Sequence, residues 1–271
     1  MIETTSAARP AKEIPGDWVS GIALTLAGSR RYGLFVPEGI APGERRPLMV
    51  MLHGCHQDAA GFAASTGMNA LAARHRFLVL YPEQSSLCNP NGCWNWFCTA
   101  SGRAYAEVEI IANAIDQVCR LYGVDAGRIV IGGMSAGASM AALVATRHPE
   151  LFRAVMMHSG VPPGTASCGL SALDAMRGHA PTSPIEGYAG LRKALPPLLV
   201  IHGTEDAIVS LANSRAAAGA WAATATLVEI EGLGHAWSGG SADEPYGDAA
   251  GPDASSMMWR FARQATRAPA A

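Results

Sequence analysis

The sequence predicts an α/β fold, with a mostly parallel central sheet covered by helices on both faces. Short apolar runs such as "PLMVMLHG", "FLVLYPEQ", "RIVIGGM" and "PPLLVIHG" recur along the chain, each of a length suited to a buried strand. Between them lie stretches with apolar residues at helical spacing, such as "GMNALAARH" and "SLANSRAAAGAWAA". Strands alternating with helices build a parallel sheet, because each crossover helix must bury its apolar stripe on that sheet. The third observation is size: 271 residues with 49% hydrophobic content can fill one large core. The expected organisation is a polar leader over 1–15 and one domain over 16–271, with no internal repeat or low-complexity linker.

In order, "WVSGIALTLAG" and "RRYGLFVPEG" read as two opening β segments. "PLMVMLHG" is a strand ending in a glycine turn, "GMNALAARH" a helix and "FLVLYPEQ" the next strand. A helix from near Val108 to Tyr122 leads into the strand before Ser135. "RAVMMHSG" and "PPLLVIHG" are further strands, followed by the helix "SLANSRAAAGAWAA" and the strand "TATLVEIEG". "ASSMMWRFARQA" is a closing amphipathic helix with Asp253 as its cap.

A formal charge of −2 and the lack of a basic run argue against nucleic acid and against an anionic membrane surface. No stretch approaches the roughly 20 apolar residues of a membrane span. The opening "MIETTSAARPAKEIPG" has no apolar signal-peptide core, and reads as a disordered leader or as what trimming left. Of six cysteines, Cys88, Cys93 and Cys98 crowd into "LCNPNGCWNWFC", while Cys55, Cys119 and Cys168 are scattered. The spacing does not suit zinc, so no metal is expected. A loop of proline, asparagine and glycine between Cys88 and Cys93 is one a disulfide can pin. That favours an oxidising compartment, secreted or periplasmic, over the cytoplasm. Sequence alone leaves the pairing open.

In an open parallel sheet, active groups collect outside the carboxyl ends of the strands. There this chain places "LHGCHQD", "GMSAG", "HSG", "HGTED" and "GLGHAW". Gly133, Ser135 and Gly137 satisfy G-x-S-x-G between a predicted strand and an alanine-rich helix, the setting in which a turn exposes a serine nucleophile. A serine hydroxyl needs a neighbouring base, and the base an orienting carboxylate. Asp206 and then His235 follow Ser135, each just beyond a predicted strand. Glu205 competes with Asp206 and reads better as a solvated loop charge, while Asp243, Asp248 and Asp253 read as turn residues. Two amides must hold the developing oxyanion, and those of Ala136 and Cys55 are the candidates. His53, His56 and His202 read as structural histidines of strand-end turns rather than ligands. Trp94, Trp96 and Phe97 are either a plug under the cysteine loop or an apolar wall, with Trp237 closing the other side of the cleft.

Together "LHGCHQD", "LVLYPEQ", "CWNWF", "GMSAGASM", "HGTED", "GHAWSGG" and "GPDAS" resemble, in order and spacing, the esterases of the polyhydroxybutyrate depolymerase family from about Trp18 onward. That family is similar to feruloyl and acetylxylan esterases. The resemblance implies an α/β-hydrolase fold with a small cap or none, and ester hydrolysis without cofactor by Ser135, Asp206 and His235. It also implies a disulfide between Cys55 and Cys93, which would leave Cys88 and Cys98 as a second local pair. His56 departs from the family's more usual threonine. The chain carries no separate polymer-binding domain, which weighs against efficient attack on crystalline polymer. The expected substrate is a polyhydroxybutyrate-type aliphatic polyester or its oligomers. A feruloyl or other aromatic carbohydrate ester is the alternative, and a non-catalytic binding protein on the same fold is the rival from another class.

Overall fold

A computed structural model describes residues 14–41, 43–179, 195–221 and 225–266, so most of the expected leader lies outside the described residues. The chain runs β1 (Gly16–Thr25), β2 (Gly28–Pro37), β3 (Arg46–Leu52), α1 (Ala59–Thr66), α2 (Met68–His75), β4 (Leu78–Pro82), α3 (Arg103–Leu121) and β5 (Val124–Met134). It continues with α4 (Ala136–Arg147), β6 (Ala154–His158), α5 (Gly169–Met176), β7 (Leu198–Gly203), α6 (Leu211–Trp221), β8 (Ala225–Ile230), β9 (Trp237–Ser238), β10 (Gly247–Asp248) and α7 (Ala254–Ala265). Eight strands form one sheet in the order β1-β2-β4-β3-β5-β6-β7-β8. β3 to β8 are parallel to one another. The β1–β2 hairpin adds an antiparallel edge through β2 and β4.

Period-two alternation decides which layer each side chain joins. Leu48, Val50 and Leu52 of β3 pack with α3 and α4 on one face, whereas Met49 and Met51 pack with α1, α2 and α7 on the other. Each such fully buried side chain contributes about 1.5–3 kcal/mol. α3 is held by a stripe at helical spacing, Ala104, Val108, Ile111, Ile115 and Val118. It begins five residues before the expected Val108, because the chain already turns at Gly102, φ 76°. The closing helix forms as expected, with Asp253 accepting from the Ser256 amide at 2.9 Å.

Two helices escape the sequence reading. α1 ("AAGFAAST") has too little periodicity to announce itself, yet Asp58 caps it through the Gly61 amide at 2.7 Å and Gly67, φ 61°, ends it. α5 lies in the β6–β7 connection, where a small cap was expected; residues 180–194 of that connection lie outside the described residues. Among the described residues, no helix is long and apolar enough to cross a membrane.

Candidate active site

The parallel run from β3 to β8 brings the chemically loaded loops to one edge, where β5 hands over to α4 through Ser135. Ser135 has φ 54° and ψ −122°, a strained conformation for a residue with a side chain. The flanking glycines allow the turn, since a methyl at Gly133 or Gly137 would fall on the Leu52 carbonyl oxygen. The turn is fastened by the Ser135 amide donating to His158 O at 2.8 Å and the Ser139 amide donating to Ser135 O at 3.1 Å. The strain is thus held by neighbouring strand ends, and the half-buried hydroxyl is presented at the helix N-terminus.

Beside Ser135, Ala136 begins α4 and its amide has no protein partner among the described residues. Among the described residues the Cys55 amide is likewise without a partner, although both its neighbours are engaged. The Gly54 amide donates to Gln57 Oε1 at 3.0 Å and the His56 amide to Asn91 O at 2.8 Å. Gln57, which the sequence reading did not single out, therefore shapes this turn. Cys55 is bonded to Cys93 across 38 residues, a closure that the chain-entropy relation values at roughly 4 kcal/mol.

Asp206 follows β7, and its side chain is fully buried. One oxygen, Oδ1, accepts from the amides of Ile208 at 2.9 Å and Val209 at 2.8 Å. The other accepts from His235 Nδ1 at 2.7 Å and faces His202 Nε2 at 3.3 Å. Burial by itself would raise this carboxyl, but the bonds from His202, His235 and the Val209 amide outweigh it and hold the group well below the usual carboxylate range. His235 Nδ1–H is thereby fixed as the donor and Nε2 is left open. His235 and Ser135 line the same hollow of about 270 Å3, with no hydrogen bond between them. Glu205 is solvent-exposed.

His53 and His158 are held within the fold, whereas His56 is exposed and lines the hollow beside Ser135. His53 bonds the Gly54 carbonyl at 2.8 Å and accepts from the Gln84 amide at 3.0 Å. His158 stacks on Trp237 at 5.1 Å, and burial, with the charges of His202 and His235, pushes its pKa down to about 3.

Three expectations need correction. Trp94 and Trp237 do not wall the cleft, for both are completely buried. Trp94 packs on His53 at 5.6 Å; Trp237 lies between His158 and Phe62 and donates from Nε1 to Ser255 Oγ at 3.1 Å. For Trp237 a large ring whose polar edge finds a partner gains more by filling the core than by lining an open hollow; Trp94 is buried by its apolar area alone, since among the described residues its Nε1 has no hydrogen-bond partner. Trp96 and Phe97 do reach a second hollow of about 230 Å3, which also borders Ser135, Cys55 and Ala136. Cys88 and Cys98 are free thiols rather than a pair. Inside their span a side-chain bond from Asn89 Nδ2 to Asn95 Oδ1, 3.1 Å, already ties the loop together.

That loop rests on a buried polar cluster the sequence reading missed. Glu107, on the apolar stripe of α3, accepts from Arg30 Nη2 at 2.9 Å, Gln84 Nε2 at 2.8 Å, the Asn95 amide at 2.8 Å and Asn95 Nδ2 at 2.7 Å. The available signal was a carboxylate at the helical spacing of Ala104, Val108 and Ile111. A strained serine and the Cys55 amide bordering both hollows, the Ala136 amide on one and an imidazole oriented by a carboxylate on the other are the groups that nucleophilic acyl transfer requires.

Residues 30–244 match the family described as Esterase PHB depolymerase. The chain is 34% identical over 197 residues to poly(3-hydroxyalkanoate) depolymerase C of Paucimonas lemoignei, covering 70% of this chain and 47% of that protein. It is 26% identical over 205 residues to acetylxylan esterase A of Emericella nidulans, covering 70% of this chain and 66% of that protein. The chain thus spans about half the length of the first relative and two thirds of the second. Among solved structures, an acetyl xylan esterase from Aspergillus awamori superposes with a TM-score of 0.64 at 21% identity, covering 80% of this chain and 94% of that one. These structural matches fix the fold as that of the α/β-hydrolases.

Proposed function

This chain belongs to the Esterase PHB depolymerase family, and from that premise we propose that it is a serine esterase cleaving short hydroxyacyl esters of an aliphatic polyester or its oligomers. The observation that carries this reading is the oriented Asp206–His235 pair sharing a hollow with Ser135. Ser135 Oγ attacks the ester carbonyl while His235 Nε2 takes its proton, and Asp206 keeps the imidazole in the required tautomer. The amides of Cys55 and Ala136 hold the oxyanion of the tetrahedral intermediate. His235 then returns the proton to the leaving alkoxide, and water repeats the sequence on the acyl-enzyme. Every role falls to a group of this chain, so the reaction needs no cofactor.

The two hollows divide the substrate. The one bordered by Trp96, Phe97, Leu173 and the candidate oxyanion amides suits the acyl group. The one containing His235, Tyr246 and Ile208 suits the alcohol, because His235 must reach the leaving oxygen. The rival reading rests on Trp96 and Phe97, whose rings meet edge-on at 5.5 Å and offer a face to a phenolic acid. The Cys55–Cys93 disulfide supports action in an oxidising compartment, secreted or periplasmic.

The test measures hydroxybutyrate released from amorphous polyhydroxybutyrate, ferulate from methyl ferulate and acetate from acetylated xylan, with Ser135→Ala as blank. Hydroxybutyrate release should dominate and fall at least about 1,000-fold in the variant. Dominant ferulate or acetate would overturn the polyester assignment, and full activity of Ser135→Ala would overturn the esterase assignment.

A further inference from the structure

We propose that His202 is a positioning residue of this site, a second imidazole that clamps the turn carrying Asp206; the proposal rests on the esterase reading. His202 is the penultimate residue of β7, and its ring is completely buried. Its Nε2 lies 2.9 Å from Val209 O, and a carbonyl can only accept, so Nε2 carries the hydrogen. The same N–H faces Asp206 Oδ2 at 3.3 Å. On the other side of the ring, Nδ1 lies 2.5 Å from the Ser214 hydroxyl on α6. The Val209 carbonyl therefore fixes Nε2 as a donor, and that donor is aimed at the carboxylate.

The turn is closed twice over. Val209 donates its amide to Asp206 Oδ1 at 2.8 Å and accepts from His202 through its carbonyl. His202 thus holds both ends of the 206–209 segment, and with them Ile208 and Val209, which border the two hollows beside Ser135. The chain of contacts runs Ser214, His202, Asp206, His235. Without the clamp, the carboxylate has only backbone amides and His235 to fix it, and small displacements of an orienting group cost large factors in rate.

Other titratable groups around the two imidazoles are accounted for. His158 at the end of β6 is held neutral by burial. Glu229 on β8 is engaged by Arg215 at 2.8 Å, and Tyr246 meets His235 edge-on at 6.5 Å. Asp206 is therefore the anion that stabilises a protonated His235. Its hold on the imidazole is read out by the acid limb of the activity profile, so loss of the clamp should move that limb.

The experiment compares His202→Met, His202→Gln and Ser214→Ala with the unaltered protein on a soluble short-chain ester, measuring kcat, KM and the profile from pH 5 to 9, with active sites titrated by a phosphonate ester. His202→Met should lower kcat roughly ten- to a hundredfold with KM changed little, and move the acid limb. His202→Gln keeps an N–H donor and should recover most of the loss. Ser214→Ala should give a smaller loss with the same direction of shift, and it carries the test if His202→Met does not fold. An unchanged kcat and acid limb in the variants that fold, with only thermal stability reduced, would reduce His202 to a packing residue and overturn the proposal. Activity retained in Ser135→Ala would instead refute the esterase reading, so the two failures are distinguishable.

Discussion

Replacing Glu107 by glutamine removes one charge from a buried arginine–carboxylate pair and disturbs no apolar packing. Arg30 and Glu107 have side chains only 6% and 1% exposed. Oε1 of Glu107 accepts from Arg30, Gln84 and Asn95 Nδ2, and Oε2 accepts from the Asn95 amide. Glutamine can keep one oxygen toward the first three donors, but its NH2 then faces the Asn95 N–H, and the Arg30 charge is left without a counter-ion. Breaking a buried pair from one side costs about 3–5 kcal/mol, which in a chain of this size lowers Tm by of order 10 °C. Thermal and urea denaturation of Glu107→Gln should show that loss. The double variant Arg30→Met/Glu107→Leu removes the unpaired charge but should not restore stability, because the buried Asn95 amide and Asn95 Nδ2 lose their acceptor. The same cluster seats Asn95, next to Trp96, so kcat on a short ester should fall as well. A cost below about 1 kcal/mol for Glu107→Gln would refute the argument, since the Arg30 charge would then have found compensation elsewhere.

Two further outcomes follow from the same geometry. Asp206→Asn should lower kcat by about 1,000- to 10,000-fold while the fold survives, because the amide favours the wrong His235 tautomer; Glu205→Gln, on the exposed neighbour, should stay within about twofold, and equal effects of the two would reverse the assignment. His158 is buried with a folded pKa of about 3 against about 6.5 unfolded. Its contribution is therefore complete above about pH 6.5 and is lost as pH falls toward 3, at about 1.4 kcal/mol per unit. Burial lowers His53 in the same direction, whereas Asp206, depressed below its unfolded value of about 3.9, loses stability only below about pH 4. Tm should drop between pH 7 and pH 5, and equal values at the two would contradict the burial argument.

Features carried by local pattern could be read from the chain. The strands announce themselves by β-length apolar runs, and Gly133, Ser135 and Gly137 by the steric needs of a tight turn. Asp206 and His235 were placed by chain order beyond predicted strands, and the structure brings them to 2.7 Å. The tryptophans show the limit. A ring beside a candidate loop looks the same in sequence whether it lines a hollow, as Trp96 does, or fills the core, as Trp94 and Trp237 do. The pairing of Cys88 with Cys98 failed because nearness in sequence does not set the distance between thiols. Glu107 was overlooked because its partners come from β2, from the segment after β4 and from the cysteine loop, none of them near it on α3.

The sequence by itself determined the sheet, its covering helices and the edge at which chemistry gathers, because hydrophobic periodicity and strand-end turns are properties of neighbouring residues. Only the tertiary structure decided that Asp206 is shared between His202 and His235, that Arg30 is neutralised by Glu107, and that Trp237 belongs to the core. Those are matters of distance between segments far apart in the chain. They are settled by which buried polar groups can satisfy one another once the sheet has brought them together.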